Sequence, residues 1–122
     1  MTRFKSQGFN NTFKNARKGF RLVLRSEMNI RIHLSIAVFV IIFAYLLDFT
    51  PLEYCALLFA IAMVIITEML NTAIEFTLDS VFKNRYSRMV GMAKDISAGA
   101  VMFASVISVF IGILLFGSKI FM

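Results

Sequence analysis

Four polar side chains interrupt a long hydrophobic segment of the sequence and share one face of the helix that the segment predicts. They follow one another at steps of three or four residues: Glu68, Asn71, Glu75 and Asp79. At about 100° of rotation per residue, they fall within an arc of roughly 80°. Each ionisable group near the bilayer centre costs roughly 2.5–3.5 kcal/mol, so such a face indicates a function. The alternative is a structural polar seam between packed helices.

Further charged residues lie close to the ends of the apolar segments. Glu27 precedes the first of these segments, and Lys94 and Asp95 precede the last. Paired carboxylates with a lysine suit a site for Mg²⁺ and phosphate, because Mg²⁺ takes one or two carboxylates together with phosphate oxygens. A further carboxylate could accept a proton from a hydroxyl. The sequence has neither a P-loop nor the protein-kinase signatures. These residues alone therefore predict a membrane protein with a polar interfacial site.

The composition excludes an ordinary soluble domain. The 122 residues are 59% hydrophobic and only 16% charged, and the mean hydropathy is +0.79. These values predict a small integral membrane protein that forms one domain over residues 1–122. The single cysteine, Cys55, can form no intrachain disulfide, so cysteine usage does not indicate whether the protein faces an oxidising or a reducing compartment.

Three apolar runs predict an all-α membrane fold with spans at about 29–48, 52–74 and 96–118. Pro51 precedes the second run, at a position where helices tolerate proline. We expect the second helix to continue to about Val81, beyond the lipid. Small residues in the third run suit close packing of helices.

The N-terminal segment, at about residues 4–26, has the pattern of an amphipathic surface helix. Apolar residues recur there at steps of three or four: Phe9, Phe13, Ala16, Phe20 and Leu24. Basic residues surround this stripe, as expected for a helix in the anionic inner interface of a membrane. The basic region is too long for a signal peptide. The helix could anchor the chain or cover a site at the membrane surface.

The distribution of positive charge predicts the orientation of the chain. The formal net charge of +6 is concentrated near predicted membrane surfaces, which favours lipid over nucleic acid as its partner. Eight of the thirteen Lys and Arg residues precede the first span. Four more are assigned to the loop before the third span: Lys83, Arg85, Arg88 and Lys94. The positive-inside rule then predicts a cytoplasmic N-terminus and an external C-terminus.

The motifs together resemble the prokaryotic diacylglycerol kinase family, which includes the undecaprenol kinases. The resemblance is carried by residues 68–79 (EMLNTAIEFTLD), by residues 93–101 (AKDISAGAV), and by Glu27, Arg31 and His33 upstream. It covers almost the whole chain, with the same layout of three spans. It implies ATP-dependent phosphorylation of a membrane lipid alcohol in the bacterial plasma membrane. It also implies a homotrimer whose active sites are shared between subunits.

The resemblance implies a role for each candidate residue. Glu68 would be the general base, and Asn71 would help to place the γ-phosphate. Glu27 and Glu75 would hold the divalent metal, Mg²⁺. The residues that would contact the nucleotide are Asn15, Glu27, Glu75, Asp79, Lys94 and Asp95. Those that would contact the lipid substrate are Glu68, Ser97 and Arg31.

Two places depart from the family pattern, and both belong to the nucleotide side of the site. Residues 85–87 read Arg-Tyr-Ser where many relatives have Glu-Tyr-His, and Asn15 stands where many have an aromatic residue. Nucleotide preference is therefore open. The short chain length and the sequence Arg31-Ile-His33 favour undecaprenol over diacylglycerol as the lipid substrate. His33 itself is interpreted as an interfacial or core histidine, with contact to the substrate headgroup as the alternative.

Two other functional classes remain open at this point. A small transporter would be expected to carry a lone carboxylate deep in a span, whereas the acids here extend towards the cytoplasmic loop. A non-catalytic membrane scaffold, or a kinase that has lost its activity, would be consistent with the altered residues 85–87.

Overall fold

The computed structural model describes residues 8–122, and this range contains four α-helices. They are α1 (Phe9–Ser26), α2 (Met28–Leu46), α3 (Pro51–Phe82) and α4 (Arg88–Phe121). By length and composition, α2, α3 and α4 could each cross a membrane. The prediction of an all-helical chain with three candidate spans is thus confirmed. Residues 4–7 of the predicted N-terminal helix lie outside the described residues.

The start of α4 differs from the sequence-based prediction. The helix begins at Arg88, because the hydroxyl oxygen of Ser87 accepts a hydrogen bond from the backbone N–H of Val90 at 3.2 Å and caps the first turn. Arg88 and Lys94, which the prediction assigned to the loop, are therefore helical, although both precede the predicted span at about 96–118. A hydropathy pattern marks only the part of a helix that lies in lipid, so it misses such a polar extension.

The helices pack through narrow stripes of buried residues. In α2 the stripe consists of Ile30, Ala37 and Ala44, at intervals of seven residues. In α4 it consists of Val90, Ser97 and Ala104, at the same interval. In α3 the interval is three or four, through Leu57, Ala60, Val64, Glu68 and Thr72. Small side chains on these stripes allow the backbones to approach closely.

One end of the bundle is closed around the loop between α2 and α3. Thr50 and Glu53 form a reciprocal capping box at the start of α3, with hydrogen bonds of 2.8 and 3.2 Å. The Lys119 ammonium near the end of α4 lies 3.0 Å from Glu53 and donates to the Asp48 carbonyl at 3.2 Å. The buried Phe49 ring packs on Phe116 at 4.9 Å between centroids. These contacts hold three helices together at this end.

The opposite end contains the junctions of α1 with α2 and of α3 with α4. Glu27 is the extended residue between α1 and α2. The Arg31 guanidinium donates to the carbonyls of Leu24 and Arg25 at 2.7 and 3.0 Å, and so caps the C-terminal end of α1. Seventeen residues of helix separate Pro51 from Glu68, which places Glu68 about 25 Å along α3 towards this end.

A substitution at Ala60 tests the packing of α3 against α4. It is 3% exposed, and its carbonyl accepts a hydrogen bond from Ser108 of α4 at 2.8 Å. We expect Ala60→Leu to lower the free energy of unfolding by about 1–3 kcal/mol, because the larger side chain overpacks this contact. The exposed Ala62 on the same helix is the matched control, and Ala62→Leu should change stability by less than about 0.5 kcal/mol. Thermal unfolding in detergent, followed by circular dichroism, measures both. Equal stability of the two variants would contradict this packing.

Candidate active site

Glu68 lies on the buried stripe of α3, in the register of the apolar residues that precede it. It is 7% exposed, and Val64 and Thr72 flank it one helical turn away on either side. The residue therefore faces the neighbouring helices and not the surroundings of the bundle. Because unsatisfied buried charge is costly, the groups around this carboxylate decide what it can do.

The two oxygens of the Glu68 carboxylate have different surroundings. Oε1 lies 3.1 Å from Nε2 of His33 on α2. Among residues 8–122, no group hydrogen-bonds Oε2, which is buried. A carboxylate oxygen in this situation can accept a hydrogen bond or a proton from an incoming hydroxyl.

Asn71 is held between α3 and α4 by two hydrogen bonds. The hydroxyl of Ser97, buried on α4, donates to the Asn71 carbonyl oxygen at 2.6 Å. The Asn71 amide in turn donates to Oε1 of Glu75 at 3.3 Å. Ser97 therefore fixes which end of the amide faces Glu75, and this contact connects three of the residues that the sequence singled out.

Lys94 and Asp79 form an ion pair between α4 and α3. The Lys94 ammonium lies 2.8 Å from the Asp79 carboxylate, and each side chain is a little more than one-third exposed. The pair is accessible enough to exchange partners with an anionic ligand. Asp95 is the next residue along α4 and is exposed.

Glu27 lies on the same side of the bundle as Glu68 and Asn71. A cavity of about 190 Å³ between the helices is lined by Glu27, Asn29, Ile30, Glu68, Asn71, Thr72, Ala98 and Val101. Glu27, Glu68 and Asn71, each predicted from the sequence, are therefore brought together. Within residues 8–122, no three acidic, histidine or cysteine side chains form a ready-made metal cluster.

Arg31 and Asn15 are among the predicted site residues that do not line this cavity. Arg31, predicted to contact the lipid, has its guanidinium on the carbonyls at the end of α1. Asn15 lies on α1 and lines a surface groove together with Lys18, Arg21 and Arg25. Whether either residue contacts a substrate remains a prediction.

Three residues at the site had no assigned role in the sequence analysis. Asn29 and Thr72 line the cavity, and His33 contacts Glu68. Thr72 could have been found, because it follows Glu68 by four residues on the same helical face. Asn29 and His33 are on α2, and periodicity within a single helix says nothing about the contacts between two helices.

A larger apolar groove begins at His33. It has a volume of about 510 Å³ and is lined by α2, α3 and α4 through Ala37, Val40, Ala60, Gly112, Phe116 and other apolar residues. Because His33 lines this groove and also contacts Glu68, the groove and the polar cavity meet at this pair. An amphiphilic molecule with a polar head and a long apolar tail would match this arrangement.

Comparison with known proteins identifies the class to which this site belongs. The chain is a membrane lipid kinase, an enzyme that phosphorylates a lipid and takes the phosphoryl group from ATP. It belongs to the prokaryotic diacylglycerol kinase family, whose sequence profile matches residues 14–116. Together with the three apolar helices, this membership makes it a multi-pass membrane protein.

Two curated relatives share 34% identity with the chain. One is an undecaprenol kinase of Bacillus subtilis, matched over 112 residues that cover 92% of this chain and 90% of the relative. The other is a diacylglycerol kinase of Synechocystis, matched over 101 residues that cover 83% of this chain and 58% of the relative. The family resemblance seen in the sequence is thus confirmed, and the two names leave the lipid undecided.

The Ser97 hydroxyl offers a direct test of the site geometry. We expect Ser97→Ala to lower kcat for lipid phosphorylation by about 2- to 10-fold, because the Asn71 amide loses the hydrogen bond that orients it. The exposed Ser118 near the other end of α4 is the matched control, and Ser118→Ala should leave kcat unchanged. Steady-state assays in mixed micelles measure both. Full activity of Ser97→Ala would show that Asn71 needs no partner on α4.

Proposed function

We propose that this enzyme transfers the γ-phosphoryl group of ATP to the hydroxyl of undecaprenol and so makes undecaprenyl phosphate. The observation that carries the proposal is the buried, unpartnered Oε2 of Glu68 beside the junction of a polar cavity and an apolar groove. The near end-to-end match with an undecaprenol kinase supports the choice of lipid. Diacylglycerol is the alternative acceptor, because a diacylglycerol kinase has the same identity over a shorter match.

Glu68 acts as the general base in this mechanism. The lipid hydroxyl donates to Oε2, its oxygen attacks the γ-phosphorus in line, and the bond between the γ-phosphorus and the bridging oxygen of ATP breaks. ADP leaves with that oxygen, and the hydroxyl proton passes to Glu68. Most of the acceleration in phosphoryl transfer comes from positioning and charge stabilisation. The apolar groove accommodates the lipid tail, and Arg31 and Ser97 lie on the headgroup side.

The remaining polar residues orient the nucleotide. The Asn71 amide, held by Ser97, faces the transferred phosphate. The Lys94 ammonium releases Asp79 in part to make charge-assisted hydrogen bonds with phosphate oxygens. Asp95 and Asn15 contact the nucleoside part of ATP from α4 and α1.

Glu27 and Glu75 are suited to hold Mg²⁺ together with the phosphates. One or two carboxylates are the protein share that Mg²⁺ takes at nucleotide sites. Glu27 lines the cavity, and Glu75 accepts a hydrogen bond from Asn71, which also lines it. When bound, Mg²⁺ neutralises charge on the phosphates during transfer. The hydrogen bond from Asn71 orients the Glu75 carboxylate.

A homotrimer with shared active sites would complete the cavity. Its volume of about 190 Å³ is below the roughly 300–1,000 Å³ of typical ligand sites, so one protomer alone is too small to enclose a nucleotide and a lipid headgroup. The basic and aromatic helix α1 lies on the inner membrane surface and covers the site. Its exposed rings Phe9 and Phe13 face the lipid.

The first test concerns the reaction and its base. Purified enzyme in mixed micelles, given γ-labelled ATP and Mg²⁺, should transfer label to lipid, and Glu68→Gln should lower kcat by about 100-fold or more because a general base is lost. Size exclusion and circular dichroism establish that the variant is assembled and helical. Near-normal turnover by a folded Glu68→Gln enzyme would show that the base has been assigned wrongly.

The second test identifies the lipid. Undecaprenol and diacylglycerol are offered separately, and we expect label in undecaprenol. Label in diacylglycerol alone would contradict the proposed acceptor and move the enzyme to phospholipid turnover. No label in either, with GTP also tried as donor, would mean that the chain is a non-catalytic scaffold.

The third test concerns orientation in the membrane. Two exposed serines mark the two ends of the bundle, Ser80 near the end of α3 and Ser118 near the end of α4. In a Cys55→Ser background, a membrane-impermeant maleimide should label Ser118→Cys in intact cells and Ser80→Cys only after permeabilisation. The reverse pattern would place the site outside the cell, away from ATP.

A further inference from the structure

His33 contacts the catalytic centre but has no part in the mechanism described so far. Its Nε2 lies 3.1 Å from Oε1 of Glu68, and its side chain is 34% exposed while that of Glu68 is 9% exposed. The imidazole is therefore the more accessible partner of a buried contact between α2 and α3. At this distance the Nε2 of His33 is within hydrogen-bonding reach of the Glu68 carboxylate.

The contact makes the two carboxylate oxygens unequal. Oε1 is engaged by the imidazole, while Oε2 has no partner among the described residues. A carboxylate attached to a flexible side chain can otherwise rotate and present either oxygen. His33 thus determines which oxygen faces an incoming hydroxyl, and it does so where the apolar groove meets the polar cavity.

Asn29 and Thr72 also line the cavity, but within residues 8–122 neither makes a hydrogen bond with Glu68. The Asn71 amide donates to Glu75 and its carbonyl accepts from Ser97, so it is engaged elsewhere. Glu27 is itself an acid and cannot donate when ionised. The imidazole is the donor that neighbouring elements provide to Glu68 within residues 8–122.

We infer that His33 is a positioning residue for the phosphoryl transfer, and that it holds Glu68 with Oε2 turned towards the lipid hydroxyl. The inference rests on the proposed role of Glu68 as the base. His33 lines the apolar groove and contacts Glu68, so we expect its loss to affect the chemical step and to leave ATP binding unchanged.

The test compares two substitutions of His33, glutamine and asparagine, whose amide side chains differ in length by one methylene. In His33→Gln the amide nitrogen can occupy the place of Nε2 and donate to Oε1, whereas in His33→Asn it falls short. With undecaprenol in mixed micelles, we expect His33→Gln to keep kcat within about threefold of wild type. We expect His33→Asn and His33→Leu to lower it by about 10- to 100-fold, with the KM for ATP unchanged. Ser35→Ala, an exposed change two residues further along α2, is the control.

The outcomes distinguish the positioning role of His33 from the role of Glu68 as the general base. Equal activity of the Gln and Asn variants would overturn the inference, because a purely structural histidine would not distinguish the two amides by reach. So would a rise in the KM for ATP that accounts for the whole loss. If His33→Leu fails to fold, the comparison of His33→Gln with His33→Asn still decides whether His33 has a positioning role. Retained turnover in Glu68→Gln would instead overturn the base assignment.

Discussion

A carboxylate in the packing stripe of a membrane helix has to be matched by groups on the neighbouring helices, and the arrangement around Glu68 follows from this constraint. Leaving a buried polar group unsatisfied costs about 1–3 kcal/mol, and more for a charged one. In this enzyme one oxygen is satisfied by His33 of α2, and the other is left available. In the proposed mechanism, the hydroxyl of the lipid substrate occupies this available position.

The two ends of the helical bundle differ in their contacts. One end holds the helices together, and the other carries the predicted site residues. At the end near the α2–α3 loop, Lys119, Glu53 and the packed rings of Phe49 and Phe116 satisfy one another and hold the helices in place. At the other end, polar groups are partly exposed and can exchange partners, as the Lys94–Asp79 pair illustrates. Small buried residues between the two ends bring α3 and α4 close enough for Ser97 to reach Asn71. The contacts at one end thus help to hold the helices that carry the candidate site at the other.

Periodicity and hydropathy were sufficient for the parts of the structure that depend on a single helix. They predicted the three apolar helices, the continuation of α3 beyond residue 74, and the shared face of Glu68, Asn71 and Glu75. They were insufficient where the outcome depends on how two helices are rotated and offset against each other. The contact between His33 and Glu68 is of this kind, and so is the placement of Arg31 on the end of α1. The start of α4 was missed because a cap at Ser87, and not hydropathy, begins that helix.

The most direct test of the central claim varies the acidity of the acceptor. A general base matters less when the attacking hydroxyl is more acidic. Wild type and Glu68→Gln should therefore be compared on an ordinary lipid alcohol and on a fluorinated analogue whose hydroxyl has a lower pKa. If Glu68 takes the proton, the loss of kcat caused by Glu68→Gln will be much smaller with the fluorinated alcohol. An equal loss with both acceptors would mean that Glu68 only positions or binds the substrate, and would contradict the account.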